Sequence, residues 1–311
     1  MPDSSNLTGS RDDLRIDRSR CLRMRFSDSG CRRCLDICPN GAVSLDDGLS
    51  INSKQCRGCL LCTAVCPAGA LEQGSDFSAC LAQLSRVPEP VLGCVRTNEC
   101  SHATMACLGS LSEEHLFALC HALDGRLTLN LSQCGDCPNS AMLAILAQRL
   151  NTLSASGLSD EGCCIVLAES AQDIKCRAES VDRRSFFRSF GKVLLQNAAV
   201  ILSNTREQTE QRTDYTGKRL PMRRELLNRT RSRLSLELEL LVRTHFDTCV
   251  SFDNSSCTGC QGCVAICPTG ALMTGVMDEK PVFDYLLCTG CGLCREFCLD
   301  HAVRVTPRAG L

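Results

Sequence analysis

Four stretches of the chain repeat one arrangement of cysteines, and any fold assigned to it must gather each set in space. The second copy reads Cys56-x2-Cys59-x2-Cys62-x3-Cys66-Pro67 and the third Cys257-x2-Cys260-x2-Cys263-x3-Cys267-Pro268. The fourth is Cys288-x2-Cys291-x2-Cys294-x3-Cys298. The first keeps Cys31-x2-Cys34-x3-Cys38-Pro39, but Asp28 stands where its leading cysteine belongs, and Cys21 lies ten residues upstream of Cys31. Each copy runs on into a related tail: Asn40-Gly41-Ala42, Ala68-Gly69-Ala70, Thr269-Gly270-Ala271 and Asp300-His301-Ala302.

Three thiolates on so tight a loop can each reach a different corner of one 4Fe-4S cubane, while the fourth is carried past it to the neighbouring cluster. Clusters then come in pairs, and the proline after the fourth cysteine turns the chain out of the loop without offering a backbone donor. On these residues both ends of the chain resemble the bacterial-type dicluster ferredoxins. Crossing of the fourth cysteine assigns four clusters. The first takes Cys31, Cys34 and Cys66 with either Cys21 or Asp28; the softer thiolate favours Cys21. The second takes Cys38, Cys56, Cys59 and Cys62, the third Cys257, Cys260, Cys263 and Cys298, and the fourth Cys267, Cys288, Cys291 and Cys294.

Disulfides suit small secreted chains, whereas this one has 311 residues, an odd 27 cysteines and no visible secretory or twin-arginine signal in residues 1–20. Zinc uses Cys-x2-Cys pairs well separated in sequence, unlike these crowded motifs. The expectation is a cytoplasmic chain with reduced thiols and no transmembrane segment, since no apolar run approaches the length of a span. The formal charge of −1 carries no message about partners, while the low aromatic content, with no Trp and two Tyr, argues against a stacking surface for single-stranded nucleic acid, so no nucleic-acid partner is expected.

The fold expected is α+β ferredoxin-like dicluster modules at both ends with a central α/β domain. The modules span residues 17–80 and 248–307, the central domain 88–202, and a linker with a basic amphipathic helix 203–247. In the centre, strands are expected near residues 90–93, 126–131 and 163–168, and helices over 111–123 and 140–150, a parallel βαβ order. Cysteines sit where the strands end: Cys94, then Cys100 and Cys107 on the connection, then Cys134-x2-Cys137. Cys94-x5-Cys100 with Cys134-x2-Cys137 is similar to thioredoxin-like 2Fe-2S ferredoxins and to the iron-sulfur delta subunits of hydrogenase complexes, differing by one residue in each short spacing. Three readings stay open there: a fifth iron-sulfur cluster, a zinc site, or cysteines packed in a core. A single metal site would use Cys94, Cys134 and Cys137 with either Cys100 or Cys107. Cys80, Cys120, Cys163, Cys164, Cys176 and Cys249 have no partner spacing and are expected to pack as small apolar residues. His301 is expected to cap or pack rather than bind iron.

Two basic stretches, residues 182–188 and 218–233, are read either as solvated helix faces or, for the arginines from Arg219 to Arg233, as a docking surface for an acidic partner. No dinucleotide fingerprint, catalytic triad or paired carboxylate stands out, because the glycines near the cysteines belong to cluster loops. The function expected is an iron-sulfur relay of single electrons, as partner or subunit of a larger oxidoreductase complex. The alternative is an iron-sulfur assembly or maturation factor for a redox enzyme.

Overall fold

The computed structural model describes residues 12–123, 125–159, 165–174, 217–275 and 280–307. Each terminal module has the same plan of two small antiparallel ladders around its cysteine loops. In the N-terminal module β1 (Leu14–Ile16) pairs with β4 (Leu71–Gln73), and β2 (Val43–Ser44) with β3 (Ser50–Ile51). In the C-terminal module β9 (Thr248–Phe252) pairs with β12 (Val303–Pro307), and β10 (Leu272–Met273) with β11 (Val282–Phe283). Neither ladder is long enough to bury much side-chain area, and the module cores are accordingly built from thiols among small aliphatics. Cys21, Cys34 and Cys66 pack with Val43, Leu45, Leu49 and Leu71 in one, and Cys267 and Cys288 with Val250, Val264, Leu272 and Val303 in the other.

The centre is a four-stranded, wholly parallel sheet in the order β6-β5-β7-β8, formed by β5 (Val91–Cys94), β6 (Ala103–Met105), β7 (Leu127–Asn130) and β8 (Ile165–Ala168). The three-residue edge strand β6 carries too short a pattern to be read from sequence. α5 (Glu113–Ala122) begins at Ser112, whose hydroxyl accepts from the His115 amide while His115 Nδ1 accepts from the Ser112 amide. This is a capping box with His in place of the usual Glu. α6 (Met142–Ala155) packs Met142, Leu146 and Leu153 into the same core as Phe117, Leu92 and Leu129. Cys59 and Leu61 of the N-terminal module belong to that core as well, so the module and the sheet share one interior.

Residues 203–216, expected to be a linker, lie outside the described residues, and the basic helix expected after them has a structural role. α7 (Met222–Arg231) and α8 (Leu236–Phe246) bury Leu227 and Val242 in the central core. Arg224 and Arg231 are buried against Asp247: Arg224 Nη2 donates to its Oδ1 at 2.7 Å, and Arg231 donates to both carboxylate oxygens at 2.9 and 2.6 Å. Arg223 donates to Glu114 and to the Cys66 carbonyl. Upstream, Arg219 N–H donates to the Pro268 carbonyl and Lys218 to the Val264 carbonyl, while Arg20 donates to the Arg219 carbonyl and the Met222 amide to Glu72. Residues 218–231 thus join both modules and the centre. The docking expectation fails for Arg223, Arg224 and Arg231 because their charges are spent on internal carboxylates and carbonyls; Arg229 is exposed and lies beside Glu225. Residues 182–188 lie outside the described residues.

The isolated cysteines divide. Cys80 is buried in the central core, whereas Cys249 is exposed on β9 and Cys120 is disulfide-bonded, so the last two depart from the packing expectation. Cys163, Cys164 and Cys176 lie outside the described residues. No helix among the described residues is long and apolar enough to cross a membrane.

Candidate metal centres

The intact motifs share a backbone device that positions their thiols. In each, the residue before the second cysteine and the residue after it are left-handed: Gly58 (φ 70°) and Leu60 (φ 57°), Gly259 (φ 72°) and Gln261 (φ 58°), Gly290 (φ 61°) and Gly292 (φ 81°). Two reversals of hand within four residues fold the loop around a point, and Leu60 and Gln261 adopt a conformation that side chains resist. The damaged first copy lacks the device, since Gly30 is not left-handed and Arg32 sits at φ −140°.

A second device lies in the tails. Gly41, Gly69 and Gly270 are left-handed, with φ of 57°, 65° and 78°, and His301 occupies the same place at φ 50°. That turn aims the next amide back at the fourth cysteine: the Ala42 amide donates to Cys38 Sγ at 3.3 Å and the Ala70 amide to Cys66 Sγ at 3.2 Å. Hydrogen bonds of this kind lower the charge on a ligating sulfur and tune a cluster's potential. His301 is exposed and serves as a turn residue.

The thiols fall into groups. Cys38, Cys56, Cys59 and Cys62 line one apolar cavity together with Gly58 and Leu60. Burial raises the Cys62 thiol well above its usual range, and its neighbours Cys59, Cys56, Cys34 and Cys38 add to the rise. Cys21, Cys31, Cys34 and Cys66 form a second group: burial pushes the Cys34 thiol up to about 12, with Cys66, Cys21 and Cys31 raising it further. Asp28 is exposed, accepting a hydrogen bond from Ser27 Oγ at 3.1 Å. Cys21 sits at the start of a short helical turn, α1 (Leu22–Arg25).

In the C-terminal module, burial pushes Cys291 up to about 12, with Cys267 and Cys288 beside it, and Cys294 is raised by burial and then by Cys291, Cys288, Cys267 and Cys263. Cys263 in turn lies near Cys260 and Cys298. Cys257 is half-buried at the head of the same loop, and Cys260 is exposed. Thiols held this far toward the protonated form release protons when metal binds, which makes loading favourable at higher pH.

The two modules touch. Phe26 and Phe297 meet edge to face, and Leu22, Ala68 and Leu293 form a small buried cluster flanked by Cys31 on one side and Cys291 on the other. Arg33 of the N-terminal module donates to the Gly290 carbonyl at 3.4 Å. Spacing in the sequence carries no signal for this contact.

In the centre, Cys94, Cys107, Cys134 and Cys137 line one cavity of about 360 Å³. Cys100 is exposed and is not part of its lining, so the structure brings four of the five candidates together and leaves Cys100 out. The histidines are engaged elsewhere: His102 Nδ1 accepts from the Val91 amide, and His245 bridges Ser156 and Glu113 at 2.8 Å each. Among the described residues no three His, Cys, Asp or Glu side chains are gathered as ligands of a single metal ion. Donor sets composed only of thiols suit iron-sulfur clusters, in which each thiolate holds a separate iron.

Comparison with known families covers both cysteine-rich ends of the chain. Residues 29–70 match a family described as the 4Fe-4S dicluster domain, and residues 249–299 match a second family of the same description. The first match begins one residue after Asp28, so Cys21 lies outside it. No curated protein matches the chain.

Proposed function

We propose, from the two 4Fe-4S dicluster domains that the chain carries, that it is a relay holding four 4Fe-4S clusters and passing single electrons from one module to the other, as partner or subunit of a larger oxidoreductase. The single observation that carries this reading is the direct contact of the modules at Phe26, Phe297 and the Leu22–Ala68–Leu293 cluster. Bound clusters would supply one-electron redox chemistry; the protein supplies placement, hydrogen bonds and exclusion of water.

Cys38, Cys56, Cys59 and Cys62 would hold one cluster, and Cys21, Cys31, Cys34 and Cys66 the next, with Cys62 close to Cys34. The second set adjoins Cys267, Cys288, Cys291 and Cys294 across the interface, because Arg33 lies by Cys291 and Glu296 by Cys31. The last set, Cys257, Cys260, Cys263 and Cys298, follows through Cys263 and Cys294. The four sets therefore adjoin in series. Buried Leu22, Ala68 and Leu293 fill the gap at the midpoint with packed carbon, which keeps water and its reorganisation out of that step.

The exposed end of the series carries Cys260, with Leu299 fully in solvent nearby in the chain after Cys298. A redox partner could approach the last set there without rearrangement of the fold. An anaerobic redox titration followed by EPR tests the reading: reversible reduction of all four clusters is expected, together with no turnover of nicotinamide, flavin, disulfide or quinone substrates by the isolated chain. Sustained turnover without a partner, or clusters that leave the chain for an apo-enzyme, would refute it.

A further inference from the structure

We propose that Cys94, Cys107, Cys134 and Cys137 bind a further iron-sulfur cluster, placed against the Cys56–Cys62 loop of the N-terminal module. The topology creates the site. β6, β5 and β7 are adjacent and parallel, so their carboxyl ends share one edge of the sheet. Cys94 is the last residue of β5, Cys107 follows the end of β6, and Cys134 and Cys137 follow the end of β7. Ligands in open parallel sheets bind at that edge, where loops from neighbouring strands converge.

The lining is chemically specific. Cys94, Cys107 and Cys134 are buried and Cys137 half-buried around the same 360 Å³ cavity. Arg57 and Arg96 also line it and would offset the negative charge of a thiolate-ligated cluster.

An all-thiol donor set fits an iron-sulfur cluster, in which each thiolate holds a separate iron, and the cavity is lined by Arg57 and Gly58 of the loop that carries Cys56 and Cys59 in a 4Fe-4S dicluster domain.

Its neighbour is the N-terminal module. A Cβ placed on Gly109 would lie 2.3 Å from the Cys59 carbonyl oxygen, so glycine is what lets the Cys107 turn approach the Cys59 loop. Asn139, just beyond Cys137, donates to the Arg57 carbonyl at 3.1 Å. The site therefore adjoins the loop that carries Cys56, Cys59 and Cys62.

The test uses the full chain purified anaerobically, with iron, acid-labile sulfide and zinc counted. Wild-type protein should carry about two to four irons beyond the sixteen or so of four cubanes. The double variant Cys134→Ser/Cys137→Ser should lose that excess while keeping the EPR signals of the dicluster modules, and Cys100→Ser should retain it. An iron count no higher than about sixteen, or about one zinc per chain that disappears in the double variant, would overturn the proposal and leave the relay reading to be judged on the module signals. Should the double variant fail to accumulate, the wild-type iron and zinc counts decide alone.

Discussion

Phe26 and Phe297 stand edge to face across the junction of the two modules, with ring centroids 5.3 Å apart and planes at 81°. Their sequence separation is nearly the length of the chain, so the contact reports tertiary assembly and nothing local. Aromatic pairs of this geometry couple by about 0.5–1.5 kcal/mol beyond the area they bury. A double-mutant cycle of Phe26→Leu and Phe297→Leu should return a coupling in that range when stability is read by hydrogen exchange. Additive effects would mean that the modules do not meet at this point in solution.

Cys21 lies beside Cys31, Cys34 and Cys66, while Asp28 faces solvent. Cys21→Ser should change the EPR signature of one cluster and lower its occupancy, and Asp28→Ala should leave all signatures as they are. A response to the aspartate alone would assign the fourth ligand to Asp28.

Asp247 neutralises two buried guanidiniums, those of Arg224 and Arg231, at 2.6–2.9 Å. Removing one partner from such a network leaves buried charge uncompensated, at a cost of about 3–5 kcal/mol. Asp247→Ala should therefore shift the denaturant midpoint strongly and expose α7 to protease. A variant within about 0.5 kcal/mol of wild type would show that these ion pairs do not hold α7 in place.

His115 is buried and neutral, accepting the Ser112 amide at Nδ1, and burial lowers its pKa from 6.5 to about 4; Glu114 opposes the shift while Arg223 and Arg149 support it. The folded-state value lies below the unfolded one, so the unfolded chain takes up the proton first. Stability should fall as the pH drops from about 6.5 towards about 4, by at most about 3 kcal/mol. His115→Gln keeps an acceptor for the Ser112 amide and removes the titration. Thermal midpoints of the two proteins should diverge between pH 7.5 and 5, and parallel curves would contradict the assignment.

The cysteine spacings made the two dicluster domains legible, because a thiol that must reach a cluster leaves a fixed interval in the chain. They could not separate Cys21 from Asp28, since that choice rests on which side chain turns inward. In the centre, Cys94, Cys134 and Cys137 could be paired by the strand order, but Cys107 and Cys100 could not be told apart: only the edge strand β6 decides that Cys107 faces the cavity. Among the arginines from Arg219 to Arg233, the buried Arg224 and Arg231 were misread for a different reason. Charge is visible in a sequence, whereas the partner that cancels it, here Asp247, is set by the fold. Leu60 and Gln261 take left-handed backbone where no glycine announces it, so the loop geometry was hidden even within the motifs that were recognised.

Electron passage between the modules is the central claim, and Cys249 offers direct access to it. This thiol is exposed on β9 of the C-terminal module and lies outside the four proposed donor sets, so in a Cys100→Ser background it can carry a thiol-reactive photosensitiser. Flash reduction followed by freeze-quenched EPR would track the arrival of the electron at the cluster whose signal changes in Cys21→Ser. The account predicts first-order arrival at a rate independent of protein concentration. Reduction of that cluster only at a rate proportional to protein concentration would show that electrons cross between molecules, and the continuous relay would be contradicted.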